Sequence, residues 1–71
     1  MEYIRVHFDP HDIRWVFANG NIVGATESEL TLPSNFYEIT LSGDGYVPPN
    51  WSGVVAGTYP SNPLSIQFSR A

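Results

Sequence analysis

Apolar and polar residues alternate in three stretches of this chain, and alternation of period two predicts β-strands with one buried face. The three stretches are residues 3–8, 36–41 and 64–68. Their apolar members are Ile4, Val6 and Phe8, then Tyr37, Ile39 and Leu41, then Leu64, Ile66 and Phe68. These nine residues are the predicted centre of the core.

A second strand is predicted over residues 13–17, with Ile13, Trp15 and Phe17 on its core face. Asn19-Gly20 follows, and both residue types tolerate the positive φ of a type I′ hairpin turn. The return strand is expected to start at Ile22-Val23.

Residues 26–32 fit two structures. Thr26 and Glu29 have the spacing of a helix capping box. Strand is favoured because the segment is short, Pro33 ends it, and Leu30 and Leu32 share one face of an extended chain. A further short strand is expected at residues 54–55.

No segment keeps a helical period, so the sequence predicts an all-β chain of six or seven short strands. We expect one domain over residues 1–71, a small two-layer β-sandwich of mostly antiparallel strands. If the strand at 64–68 stands at a sheet edge, it could pair between copies; the sequence leaves the oligomeric state open.

Charge narrows the class of partner. The net charge is −4, from seven acidic residues against three arginines and no lysine. Proteins that bind nucleic acid typically make about 6–10 phosphate contacts, so nucleic acid is a poor partner. No run is long and apolar enough for membrane insertion, and no signal peptide is visible, which predicts a cytoplasmic protein. The cell envelope is the alternative if the chain is part of a larger protein.

The stretch NGNIVGATESELTLPSNFYEITLSGDGYVPPNW resembles the PEGA domain, a small β-sandwich module of bacterial and archaeal proteins. The matching residues are Gly20, Gly24 and Thr26, then Leu32-Pro33, then Gly45-Tyr46. The resemblance covers roughly residues 10–55. It implies a non-catalytic module, in proteins often linked to the cell envelope.

The sequence departs from the family pattern in three places. Only the proline of the naming tetrapeptide is kept, at Pro10 of residues 10–13. Glu27 replaces the proline that follows the threonine, and Asn35 replaces a turn glycine.

The stretch HFDPHD, residues 7–12, offers four possible metal ligands: His7, Asp9, His11 and Asp12. Zinc needs three or four such ligands in a tetrahedron, but this spacing has no specific metal-site precedent. The favoured interpretation is a polar turn, in which an aspartate accepts backbone N–H bonds and Pro10 presets φ. No cofactor is expected.

Catalytic motifs are absent from the sequence. There is no cysteine and no Gly-x-Ser-x-Gly elbow. Glu27 and Glu29 are predicted on a mobile polar connection, and the glycines of residues 42–45 precede no helix that would make a phosphate loop. The chain is therefore expected not to be an enzyme.

Aromatic residues in irregular segments are the predicted binding residues. Tyr46, Trp51 and Tyr59, with Asp44, lie in segments rich in glycine, proline and asparagine. Such aromatics are common binding anchors, since they bring large area at little rotamer entropy. The alternative is that they fold inward and cap the sandwich; for Tyr46 the PEGA resemblance implies this core position.

The predicted function is therefore a non-catalytic binding module that contacts a protein partner through this acidic, aromatic-bearing loop surface. One alternative is a stand-alone inhibitor or accessory protein, encoded by a phage or mobile element, that binds a host protein. A third is a carbohydrate- or metal-binding accessory domain.

Overall fold

The structure, a computed structural model, describes residues 1–9 and 12–71. Eight strands form within these residues, one or two more than the sequence predicted. They are β1 (Glu2–Asp9), β2 (Trp15–Ala18), β3 (Asn21–Ala25), β4 (Glu29–Leu32), β5 (Asn35–Leu41), β6 (Tyr46–Val47), β7 (Trp51–Val55) and β8 (Leu64–Arg70).

The strands make two four-stranded sheets. The first sheet has the order β4-β1-β8-β6, and the second has the order β3-β2-β5-β7. All pairings are antiparallel except that of β1 with β8. This arrangement confirms the prediction of a small all-β sandwich. No helix in the described residues has the length and hydropathy of a membrane span.

The buried side chains come from the alternating faces of both sheets. The nine residues that the alternation placed in the core lie inward, and Leu64 is the one among them that is only partly buried. The other buried apolar residues are Val16, Ala18, Leu30, Leu32 and Val55. Burying one such side chain fully stabilises a fold by about 1.5–3 kcal/mol, so this layer supplies most of the driving force.

The predicted face of the strand after residue 12 is wrong. Ile13 and Trp15 are 69% and 56% exposed, whereas Val16 and Ala18 are buried. Ile13, Trp15 and Phe17 are apolar, and so are Val16 and Ala18, so the local sequence does not show which of the two faces is buried. A shift of one residue in the strand pairing exchanges the two faces. Pairing with β5 decides the face, because Val16 lies opposite Leu41 and Ala18 opposite Ile39.

The Asn19-Gly20 hairpin is confirmed. Asn19 has φ of 50° and Gly20 has φ of 85°, as a type I′ turn requires. Ala18 pairs with Asn21 across the turn, so the return strand begins one residue earlier than predicted. The register shifts between Val16 and Phe17, and this bulge bends the outer strand β3.

The strand alternative for residues 26–32 is also confirmed, over Glu29–Leu32. Leu30 and Leu32 are both buried, and this strand pairs antiparallel with the start of β1.

The suggested edge position of residues 64–68 is wrong. They belong to β8, which lies between β1 and β6 and runs parallel to β1. The short β6 pairs with β8 only at Ser69 and Arg70. Because β1 and β8 are far apart in the sequence, their pairing left no local signal.

Candidate interaction surface

The outer side of the second sheet carries exposed apolar side chains. Alternation along β2, β3, β5 and β7 turns five of them to solvent, and we call this set the apolar face: Trp15, Phe17, Ile22, Phe36 and Val54. Four of them are 56–68% exposed, and Phe17 is partly buried. Exposed apolar side chains grouped on one sheet face are uncommon in soluble proteins and mark contact surfaces.

Strand register arranges these residues in rows across the sheet. Phe17 lies between Ile22 and Thr40, and Phe36 lies opposite Val54. Directly opposed residues have Cβ atoms about 5 Å apart, so the side chains within each row are neighbours. A polar row separates the two apolar rows, with Glu38 opposite Ser52.

Sequence reasoning assigned Trp15 and Phe17 to the core and did not single out Ile22, Phe36 or Val54. A signal for the last two was present. Phe36 is next to the inward Tyr37, and Val54 is next to the inward Val55. Positions 36 and 54 therefore face solvent, where a strand with one buried face usually has a polar residue, and both are apolar.

The outer side of the first sheet is polar. Its central strands β1 and β8 turn Tyr3, Arg5, His7, Ser65 and Gln67 outward, since their alternate residues are buried. An open cleft of about 390 Å³ lies on this side. Its lining residues are His7, Phe8, Asp9, Glu27, Gln67 and Ser69.

Glu27 organises one wall of this cleft. Its carboxylate accepts the Phe8 N–H at 2.9 Å and lies 3.0 Å from His7 Nδ1. Its own N–H donates to the Val6 carbonyl at 2.8 Å. Glu27 has φ of 62°, which is rare for a residue with a long side chain. These bonds extend the pairing of β1 to the residues just before β4, and Glu29 lies within β4 itself. The prediction that Glu27 and Glu29 lie on an unpaired polar connection is therefore wrong for both.

The four possible metal ligands of residues 7–12 do not form a group in the part of the chain that is described. His11 lies outside the described residues, as does Pro10 of the predicted turn. His7 contacts Glu27, and Asp12 accepts a bond from Arg70 Nη2 at 2.6 Å. Within residues 1–9 and 12–71, no three histidine or carboxylate side chains are placed to hold one ion.

Tyr46 and Asp44, the first two predicted loop residues, have different surroundings. The Tyr46 hydroxyl donates to the Leu41 carbonyl and accepts the Leu41 N–H, both at 3.1 Å, and its ring meets Phe68 edge to face. Tyr46 is therefore partly buried and packs against the core. The Asp44 side chain is exposed, and its carbonyl accepts a bond from Arg14 Nη1 at 2.8 Å.

Trp51 and Tyr59, the other two, lie in different elements. Trp51 is half-buried at the start of β7 and packs against the core cluster. Its ring covers Gly53 so closely that a Cβ added there would lie 2.9 Å from the ring. Tyr59 is 64% exposed in the connection to β8, where it bridges to Asn62. Of the three loop aromatics, Tyr59 alone is largely exposed.

All three arginines make contacts within the chain. Arg5 donates to the Glu27 carbonyl, and Arg70 pairs with Asp12. The Arg14 guanidinium lies 4.5 Å from the centre of the Phe8 ring and donates to the Ser42 carbonyl. Each arginine of the chain is therefore held in place by a carbonyl or a carboxylate of the same chain.

Comparison with known proteins gives no relative: no family model matches the chain, and neither the search of curated proteins nor that of solved structures finds a significant match. The PEGA resemblance therefore stays a prediction.

Proposed function

We propose that this chain is a non-catalytic protein-interaction module and that its contact surface is the apolar face. The observation that carries the proposal is the grouping of Trp15, Ile22, Phe36 and Val54, each more than half exposed, on one side of one sheet. Aromatic side chains in such a position are the usual anchors of a protein interface.

Charge indicates the chemistry of the partner. Glu38 lies in the row between the two apolar rows, and the chain as a whole has a net charge of −4. Complementary potentials speed association and exclude wrong partners. The best-matched partner therefore has an apolar surface with arginine or lysine placed opposite Glu38.

The proposal treats the cleft on the polar side as structural. The Glu27 carboxylate there holds the Phe8 N–H and contacts His7. A carboxylate that holds the backbone at the end of a strand has a structural role, and this role explains the position of Glu27 without a catalytic proton transfer. The predicted loop surface of Asp44, Tyr46, Trp51 and Tyr59 remains the competing contact surface.

Selection of random displayed peptides on the immobilised chain tests the proposal. We expect enriched peptides to combine apolar residues with arginine or lysine. Trp15→Ser should weaken their binding by about 2 kcal/mol, roughly thirtyfold, because an interface anchor is lost. The exposed position of Trp15 predicts that this variant still folds, which circular dichroism will check.

Tyr59→Ala is the matched control. It removes the most exposed aromatic of the loop surface and leaves the apolar face intact. If Tyr59→Ala abolishes peptide binding and Trp15→Ser does not, the loop surface is the contact and the proposal is wrong.

A further inference from the structure

The strand β7 forms one edge of the second sheet, and its outward backbone groups are open. The Glu38 N–H donates to Asn19 Oδ1, and the Glu38 carbonyl accepts the Asn19 N–H, both at 2.9 Å. Asn19 lies on the side of β5 away from β7, so the backbone groups of Glu38 point away from β7. Glu38 and Ser52, although opposite each other, therefore form a pair without hydrogen bonds between them. By alternation, Ser52 and Val54 direct their N–H and carbonyl groups away from β5, and no described residue bonds them.

The other edges carry features that obstruct pairing. β4 contains the charged Glu29 and is followed by Pro33. The pairing of β3 with β2 is interrupted by a register shift, so β3 is not a regular edge. β6 has two residues and is followed by two prolines. On β8, beyond the part that β6 covers, the Gln67 amide bonds the Phe68 carbonyl.

β7 has no such protection. Its five residues, Trp51–Val55, include no charge and no proline, and its pairing with β5 is in regular register. Natural proteins usually block exposed edges, because an open edge is a template for another strand. The unblocked edge is therefore available for pairing with another strand.

We propose that β7 pairs antiparallel with β7 of a second copy of this chain, about a two-fold axis at Gly53. In this register Ser52 of each copy exchanges two hydrogen bonds with Val54 of the other, giving four in total. The axis passes through a pair without hydrogen bonds, where Cα atoms approach to about 4.5 Å, and glycine has no side chain to collide there. Trp51, which is half-buried, then lies beside Val55 of the second copy.

Charge does not oppose this pairing. The closest acidic residue on the neighbouring strand is Glu38, opposite Ser52. With strands about 4.8 Å apart and a rise of about 3.4 Å per residue, the two Glu38 residues lie roughly 16 Å apart. That separation exceeds the Debye length of about 8 Å at physiological salt.

Pairing would also enlarge the contact surface, and this step rests on the proposed function. The four strands of this face have four to seven residues each and together cover about 340 Å². Standard interfaces bury about 800 Å² on each partner. Two copies joined through β7 present one eight-stranded face of about 700 Å², close to that value, with Phe36 and Val54 of both copies at its centre.

Sedimentation of the chain over a wide concentration range tests the pairing. The interface is small, so we expect a weak dimer whose average mass rises from 7.9 kDa toward twice that value. Ser52→Pro should keep the chain monomeric, since it removes an outward N–H donor without touching a bond to β5 and leaves the residues of the apolar face unchanged. Ser52→Thr is the matched control, because it keeps the donor and a hydroxyl side chain and should still dimerise.

Amide hydrogen exchange gives a second measurement that needs no variant. The Ser52 and Val54 amides should exchange several-fold more slowly at high than at low concentration, while those of Gly53 and Val55 are already protected by β5. A mass that stays at 7.9 kDa at all concentrations, or exchange at Ser52 and Val54 that ignores concentration, would overturn the proposal.

The two proposals fail separately. If Trp15→Ser abolishes dimerisation and Ser52→Pro does not, the copies associate through the apolar face, and edge pairing is wrong. If Ser52→Pro is monomeric and still binds the selected peptides, both the contact surface and the edge pairing stand.

Discussion

The two sheets of this sandwich bury similar residues and expose different ones. β1 and β5 both alternate, and their inward residues Val6 and Ile39 are fully buried. The outward residues of β1 are polar and lie beside the bonds of Glu27, whereas the outward side of β5 includes Phe36, which is 56% exposed. The inward residues of both sheets form the core, so the two sheets differ in the surfaces that their outward residues present.

The largest contrast is expected between a substitution on the inner side of the first sheet and one on the outer side of the second sheet. Phe8→Ala removes a fully buried ring and should cost about 3–5 kcal/mol, which is much of the stability of a domain this small. Phe36→Ala removes an exposed ring and should change the unfolding free energy by less than about 0.5 kcal/mol. Urea denaturation of both variants measures the contrast, and equal losses would show that Phe36 belongs to the core.

A smaller effect is expected on the polar side. Glu27→Ala leaves the Phe8 N–H without its carboxylate acceptor, which should cost about 1–3 kcal/mol. Glu27→Gln keeps an oxygen that can accept this bond and should lose less. If the alanine variant is as stable as the parent chain in urea, the carboxylate does not stabilise the end of β1.

The smallest effect appears as a dependence on pH. Bonds from Ser34 and Thr58 lower the pKa of Glu2 from 4.5 to about 2. A carboxyl whose pKa is lower in the folded chain stabilises the fold above pH 4.5, and that contribution is lost as the pH falls toward 2. Glu2→Gln should therefore show a smaller fall in urea midpoint over this range. An identical fall in both proteins would mean that other carboxyls cause all of it.

Much of the fold could be predicted from local pattern. The alternation of β1, β5 and β8 and the turn at Asn19-Gly20 are properties of adjacent residues, and each was confirmed. The face of β2 could not be predicted, because Trp15 and Val16 are both apolar and their choice depends on β5. The candidate surface was missed partly for the same reason, because Trp15 had been assigned inward. The adjacent apolar residues Phe36-Tyr37 and Val54-Val55 were a second signal of exposed apolar side chains, and this signal was not used.

The edge of the second sheet was equally out of reach. The position of an edge depends on which strands lie side by side. Neither the sequence of β5 nor that of β7 indicates by itself that the two strands pair. The sequence indicated residues 54–55 as a short strand, whereas β7 begins at Trp51. Knowledge of the strand order is what shows that an unprotected strand stands at an edge.

The parallel pairing of β1 with β8 has a consequence for how the chain folds. It joins Ile4 to Leu64 and Phe8 to Phe68, residues separated by almost the whole length of the sequence. Proteins dominated by such distant pairings fold in milliseconds to seconds, much more slowly than helical proteins of equal size. During synthesis, the edge of β1 that pairs with β8 stays unpaired until β8 has left the ribosome. The first sheet is therefore completed only after every strand of the second sheet has been made.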